Sequence, residues 1–134
     1  MRRNVFVSAL AMLFMFALNA AASPGDRRDR RDYLGSAHVD GRADHDVIHV
    51  GGGDGRFRAI QLRVSGGAID FDRVIVHFGN GTSEELVIRS RIPSGGETRL
   101  IDLPGERRVI ESVELWYGKE RWDRRPEVRL YGIR

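Results

Sequence analysis

From Leu34 to the end of the chain, apolar side chains recur at every second position, and glycine-rich breaks interrupt them every eight to twelve residues. A period of two is that of a strand with one buried and one wet face, and the abundance of β-branched residues favours the same geometry. No stretch of this region sustains the apolar stripe that a helix needs. The pattern predicts strands near 33–39, 46–50, 57–65, 68–78, 84–92, 98–103, 109–117 and 127–133. In the third, Ile60, Leu62 and Val64 face inward while Gln61 and Arg63 face out. In the seventh, Val109, Val113, Leu115 and Tyr117 share one face, with Glu111 among them.

The fourth strand breaks its own rule. Ile69 and Phe71 have one parity, whereas Val74, Val76 and Phe78 have the other, so a bulge is expected near Asp72 and Arg73. Turns are expected at Gly66-Gly67, at Gly79-Asn80-Gly81 and at Ser94-Gly95-Gly96, where a positive φ is cheap for Gly and tolerable for Asn. Eight short strands of this kind specify an all-β, two-sheet antiparallel sandwich with Greek-key or jelly-roll connections. An outer-membrane barrel is excluded by the outward faces, which carry Arg58, Arg63, Arg89, Arg91 and Glu85 where lipid would demand an apolar band.

Ahead of this domain the chain has the layout of an export signal. Arg2 and Arg3 precede an apolar run from Val5 to Leu18, and Ala20 and Ala22 supply small residues for cleavage after Ala22. The run is roughly 14 residues, short of the ~20 that span a bilayer. The expected organisation is a cleaved signal peptide at 1–22, a flexible charged leader at 23–32 and one sandwich domain at 33–134. The leader, SPGDRRDRRD, has no apolar residue to bury and reads as a solvated spacer. The exported product is expected to be periplasmic or secreted, soluble, and without a transmembrane segment. With no cysteine in the chain, stability must come from burial alone.

Charge argues against nucleic acid. The net charge of +3 falls when Arg2 and Arg3 leave, to 20 basic against 19 acidic side chains, and a near-neutral domain has no electrostatic reason to seek a phosphate backbone.

Several segments invite chemistry and fail on geometry. His45 and His49 have a spacing that suits a metal pair on a helix, but on a strand they stand roughly 13 Å apart at ~3.3 Å per residue. His38, Asp40 and Asp44 could gather with His45 or Asp46 at strand ends, yet the acidic spacing is not that of a calcium loop. Gly51-Gly52-Gly53-Asp54-Gly55 has the composition of a phosphate loop but leads into a strand, so it is expected to be a flexible connection. Asp70 and Asp72 would lie about 7 Å apart on one open face, where they flank no cleft. There is no Gly-x-Ser-x-Gly elbow. No catalytic residue, metal-ligand set or cofactor is therefore assigned.

The most usable surface in the sequence is Trp116, Tyr117, Lys119, Arg121, Trp122, Arg124 and Arg125, where rings can stack on sugars and guanidinium forks can hold carboxylates. Within it, Tyr117, Arg121, Trp122, Arg124 and Arg125 are the candidate ligand-binding residues, although Trp116 and Tyr117 differ in parity and one of them should be core.

Four segments carry a family resemblance: Gly55 to Ile60 (GRFRAI), the Phe78-Gly79-Asn80-Gly81 turn, Gly95-Gly96-Glu97-Thr98-Arg99 running to Ile101-Asp102-Leu103-Pro104-Gly105, and Val113-Glu114-Leu115-Trp116-Tyr117. Together they make the chain resemble small exported bacterial proteins of a domain-of-unknown-function family, the YaaI-like, DUF2541-like group. The resemblance implies a β-rich exported protein and brings no catalytic residue with it. The expectation is an exported, non-catalytic binding or accessory module whose partner is an envelope polysaccharide, a peptide or another exported protein. The alternative is a small metal-dependent or carboxylate-based hydrolase using Asp70, Asp72 or the His38 to His49 region.

Overall fold

The alternation resolves into ten strands in the computed structural model, which describes residues 30–39, 45–88, 91–118 and 125–134. They are β1 (Arg31–His38), β2 (His45–His49), β3 (Arg56–Phe57), β4 (Ala59–Ser65), β5 (Ile69–Phe78), β6 (Ser83–Leu86), β7 (Arg91–Ile92), β8 (Ile101–Asp102), β9 (Arg108–Tyr117) and β10 (Glu127–Ile133). Eight strands were expected, and the two extra ones come from interruptions. The third breaks at Arg58 into β3 and β4, and the fifth breaks into β6 and β7. Among the described residues no helix is long and apolar enough to cross a membrane.

All pairings are antiparallel. One sheet runs β1-β10-β4-β8; the other runs β2-β9-β5-β6, with β3 added to β9 and β7 added to β5. Counting β3 with β4 and β6 with β7 leaves eight strands, in the order 1-8-3-6 and 2-7-4-5. That order is a jelly roll: in this eight-strand count the chain changes sheet at every connection except the β5–β6 turn.

Burial follows the predicted parity through most of the core. Leu62, Val64, Val74, Val76, Val113, Leu115, Val128 and Leu130 are all fully buried between the sheets. Each such side chain contributes ~1.5–3 kcal/mol relative to exposure, which is how a chain without disulfides holds two sheets together. The expected bulge is present: the β5–β9 register shifts between Phe71 and Arg73, leaving Asp72 as the extra residue. A second shift lies between His77 and Phe78, opposite Ile110 and Ser112. This one corrects the expected facing of β9, because Ile110 is buried and Val109 is only half-buried.

β1 also begins at Arg31, inside the stretch expected to be leader. Its charged residues are held by side-chain contacts: the Arg31 guanidinium lies 3.8 Å over the Tyr131 ring, and Asp32 accepts a hydrogen bond from Arg134 Nε at 2.6 Å.

The break at Arg58 decides the shape of one end. β3 pairs with β9 in the six-stranded sheet and β4 pairs with β10 in the other, so the chain steps between sheets at this residue. The step is fixed by backbone bonds, Arg58 N donating to Ile133 O and Leu103 N donating to Arg58 O. Phe57, just before it, is fully buried against β10. It fits only because residue 132 is glycine, where an added Cβ would stand 2.6 Å from Phe57 Cδ1.

Candidate anion-binding site

Jelly-roll order brings the β2–β3–β4 connection, the β5–β6 turn and the β8–β9 loop to the same end of the sandwich. Each delivers arginine or lines a space beside it. Arg56 opens β3 and stands in register with Val109, so it lies beside Arg107 and Arg108 at the start of β9. Opposite them, Gly79 N donates to Val109 O and Gly81, at φ +89°, closes the turn. The result is a pocket of about 340 Å³ lined by Arg56, Phe78, Gly79, Asn80, Arg107, Arg108 and Val109, with no acidic side chain in its wall.

The three guanidinium groups are not alike. Arg108 is fixed: it donates to Pro104 O at 2.9 Å and Thr82 Oγ1 at 3.1 Å, and it lies 3.8 Å over the Phe78 ring. Further N–H donors of its five stay uncommitted. Arg56 and Arg107 are exposed and make no hydrogen bond, ion pair or ring contact among the described residues. Three like charges around one hollow repel one another, and nothing in the wall offsets them. The arrangement favours an anion that takes forked hydrogen bonds from guanidinium groups.

A second group of titratable side chains lies on the outer face of the six-stranded sheet. Glu114 on β9 is within 3.0 Å of His45 Nε2 from β2 and 2.7 Å of His77 Nε2 from β5. The hydrogen bond from His77, with help from His45, holds the Glu114 carboxyl below the usual carboxylate range despite some desolvation. An ionised carboxylate only accepts, so both imidazoles carry their proton on Nε2. Trp116 stacks on His45 at 4.2 Å between centroids. No serine or threonine hydroxyl is hydrogen-bonded to either histidine among the described residues. Among the described residues no group of three His, Asp or Glu side chains is placed to hold a metal ion. This is a cross-strand staple.

The sequence-predicted candidates fall elsewhere. Tyr117 is in the core, 5.9 Å from the Phe71 ring between centroids, so its ring is not available for stacking on a ligand. Burial, with the Asp46 carboxylate nearby, pushes its phenol far above the ordinary range. Arg125 is exposed, while Lys119, Arg121, Trp122 and Arg124 lie outside the described residues. Asp40 and Asp44 lie outside them too. His45 and His49 do share the outer face of β2, as expected, but it is His77 from another strand that joins His45. Asp70 and Asp72 are both exposed, and the bulge takes Asp72 out of register. The glycine run closes as a 3-10 turn at Gly52–Asp54, with Arg134 donating to Asp54 O.

A family model described as a domain of unknown function, DUF2541, matches residues 7–132. The chain belongs to the DUF2541 family. No curated protein and no solved structure gives a significant match. The DUF2541 match runs across the sandwich from β1 almost to the end of β10, and so includes Arg56, Arg107 and Arg108. Its description carries no activity, so the roles of these DUF2541 residues rest on their geometry.

Proposed function

We propose that this protein is an exported, non-catalytic binding module that holds the anionic group of its ligand between Arg56, Arg107 and Arg108. One observation carries the reading: three arginines line a pocket without an acid, and two of them have no partner among the described residues. Elsewhere on the described surface arginines pair with acids, as in Arg31–Glu97, Arg73–Glu85 and Arg129–Glu127. Arg108, already immobilised on Phe78, loses little freedom when a ligand binds. Export is supported by the Arg2-Arg3 start, the apolar run and the alanines before Ser23. The mass of the mature chain, read after secretion, tests cleavage after Ala22.

The binding test is thermal stability of the mature protein at low salt, titrated with sulfate, citrate and a galacturonate oligomer. A ligand that binds only the folded state must raise the melting temperature, by the equivalent of about 2.7 kcal/mol at a hundred times its dissociation constant. The expected result is a shift that added chloride weakens and that Arg56→Gln with Arg107→Gln removes, the unliganded protein melting as before. No shift with any anion, or one that the double variant keeps, would contradict the reading. Arg121, Trp122, Arg124 and Arg125 are a separate candidate contact surface in the sequence, whose test is loss of envelope-polymer binding in Trp122→Ala with the fold intact.

A further inference from the structure

The arginine pocket opens into a neighbour that answers a narrower question. A second hollow of about 600 Å³ is lined by Arg56, Arg58, Asp102, Leu103, Gly105, Glu106 and Arg107. Arg56 and Arg107 belong to both, so the two form one groove with these side chains as the divide. The first half is purely cationic. The second adds two carboxylates, Asp102 and Glu106, both exposed and neither with a hydrogen bond or ion pair among the described residues. The end of β8 and the loop after it place them in the same wall as the arginines without pairing them.

Resting on the proposed anion-binding function, we infer that the ligand is an acidic saccharide, with its anionic group in the first hollow and hydroxylated ring in the second. A carboxylate is a strong acceptor for hydroxyl donors, and neighbouring ring hydroxyls can satisfy it in pairs. A chain of uniform negative charge, such as polyphosphate or nucleic acid, would set a charge against Asp102 and Glu106. At about 5 Å such a contact costs ~3 kcal/mol at an effective dielectric of 20. A small inorganic anion would use the first hollow and leave the second empty. An acidic peptide fits less well, because extended peptides are bound by adding to a strand edge. Of the strands that reach the groove, β3 and β8 are two residues long, and β5 and β9 are already paired on both sides, so almost no edge is left to add to.

The test is calorimetric titration of the mature protein with a galacturonate trimer, sulfate, polyphosphate and a short polyglutamate, in wild type and in Asp102→Asn with Glu106→Gln. Both acids are exposed, and a melting curve confirms that the variant folds. The trimer is expected to bind at least about tenfold more tightly than sulfate. The variant is expected to lose about five- to tenfold in trimer affinity, while sulfate and polyphosphate bind it as well as before or better. Polyphosphate or polyglutamate binding wild type as tightly as the trimer would overturn the saccharide, as would a variant that keeps full trimer affinity, and both leave the arginine pocket standing. Failure of all four probes, sulfate included, would overturn the pocket as well.

Discussion

On the six-stranded face Glu114 accepts a hydrogen bond from each of two histidines and Glu85 takes Arg73 at 3.1 Å, whereas at the β3 end Arg56 and Arg107 have no partner among the described residues. Both regions are charged and both reach water. On the face, charges from adjacent strands satisfy one another and help fix which strand lies beside which. At the end, arginines are gathered by connections from three parts of the chain, and Arg56 and Arg107 stand beside Asp102 and Glu106 without pairing with them. The contrast separates charge that serves the fold from charge kept for something else, and it can be broken in several places.

The largest effect should come from Phe57→Ala, which joins the two regions by emptying the fully buried site beneath Gly132 and Arg134. Replacing a buried phenylalanine costs about 3–5 kcal/mol, and denaturant unfolding should show it. Because Arg56 and Arg58 flank residue 57, anion binding should fall too. Intact binding in a destabilised protein would show that the pocket does not depend on β3.

Next comes Glu114→Gln. Two charge-assisted bonds are weakened at a site that is partly exposed, so about 1 kcal/mol is expected near neutral pH. The sign with pH follows from the direction of the Glu114 shift: its folded carboxyl titrates below its ordinary value of 4.5, so its contribution is complete above that value. It is lost as pH falls through the lower, folded value. The stability gap between wild type and Glu114→Gln should therefore be flat at neutral pH and close under acid. Anion binding should not change, since the staple is not in the groove. A fall in binding would erase the distinction between face and end.

Arg108→Lys tests the fixed member of the pocket. Lysine cannot lie flat on Phe78 while forking to Pro104 O and Thr82 Oγ1, so anion affinity should drop by about fivefold with little change in melting. The smallest effect is expected for Arg73→Gln, whose partner Glu85 is equally exposed and solvent-screened. Neither melting nor binding should move.

The sequence carried the strands well, and even the bulge at Asp72, because the parity of Ile69 and Phe71 contradicts that of Val74, Val76 and Phe78. The second bulge was hidden for a simple reason. Val109 and Ile110 are adjacent and both β-branched, so alternation fits either one facing in. Tyr117 illustrates two cues in conflict: its parity with Val113 and Leu115 placed it inside, while its neighbours in a basic, aromatic stretch suggested a surface. Parity prevailed, since a strand's pleat is set by backbone pairing and not by composition. The arginine pocket could not be read at all without strand order. Arg56 and Arg107 are 51 positions apart, and only a jelly roll with β3 paired to β9 makes them neighbours. Likewise, nothing in the spacing of His45 and His77 announced that Glu114 lies between them.

The step at Arg58 has a mechanical meaning. The groove takes Asp102 and Leu103 from the end of one sheet and Arg107 and Arg108 from the other, so an occupant would rivet the two layers together. Pulling the sandwich open and discharging the ligand would then be one event, and a force applied across the layers would act as a release.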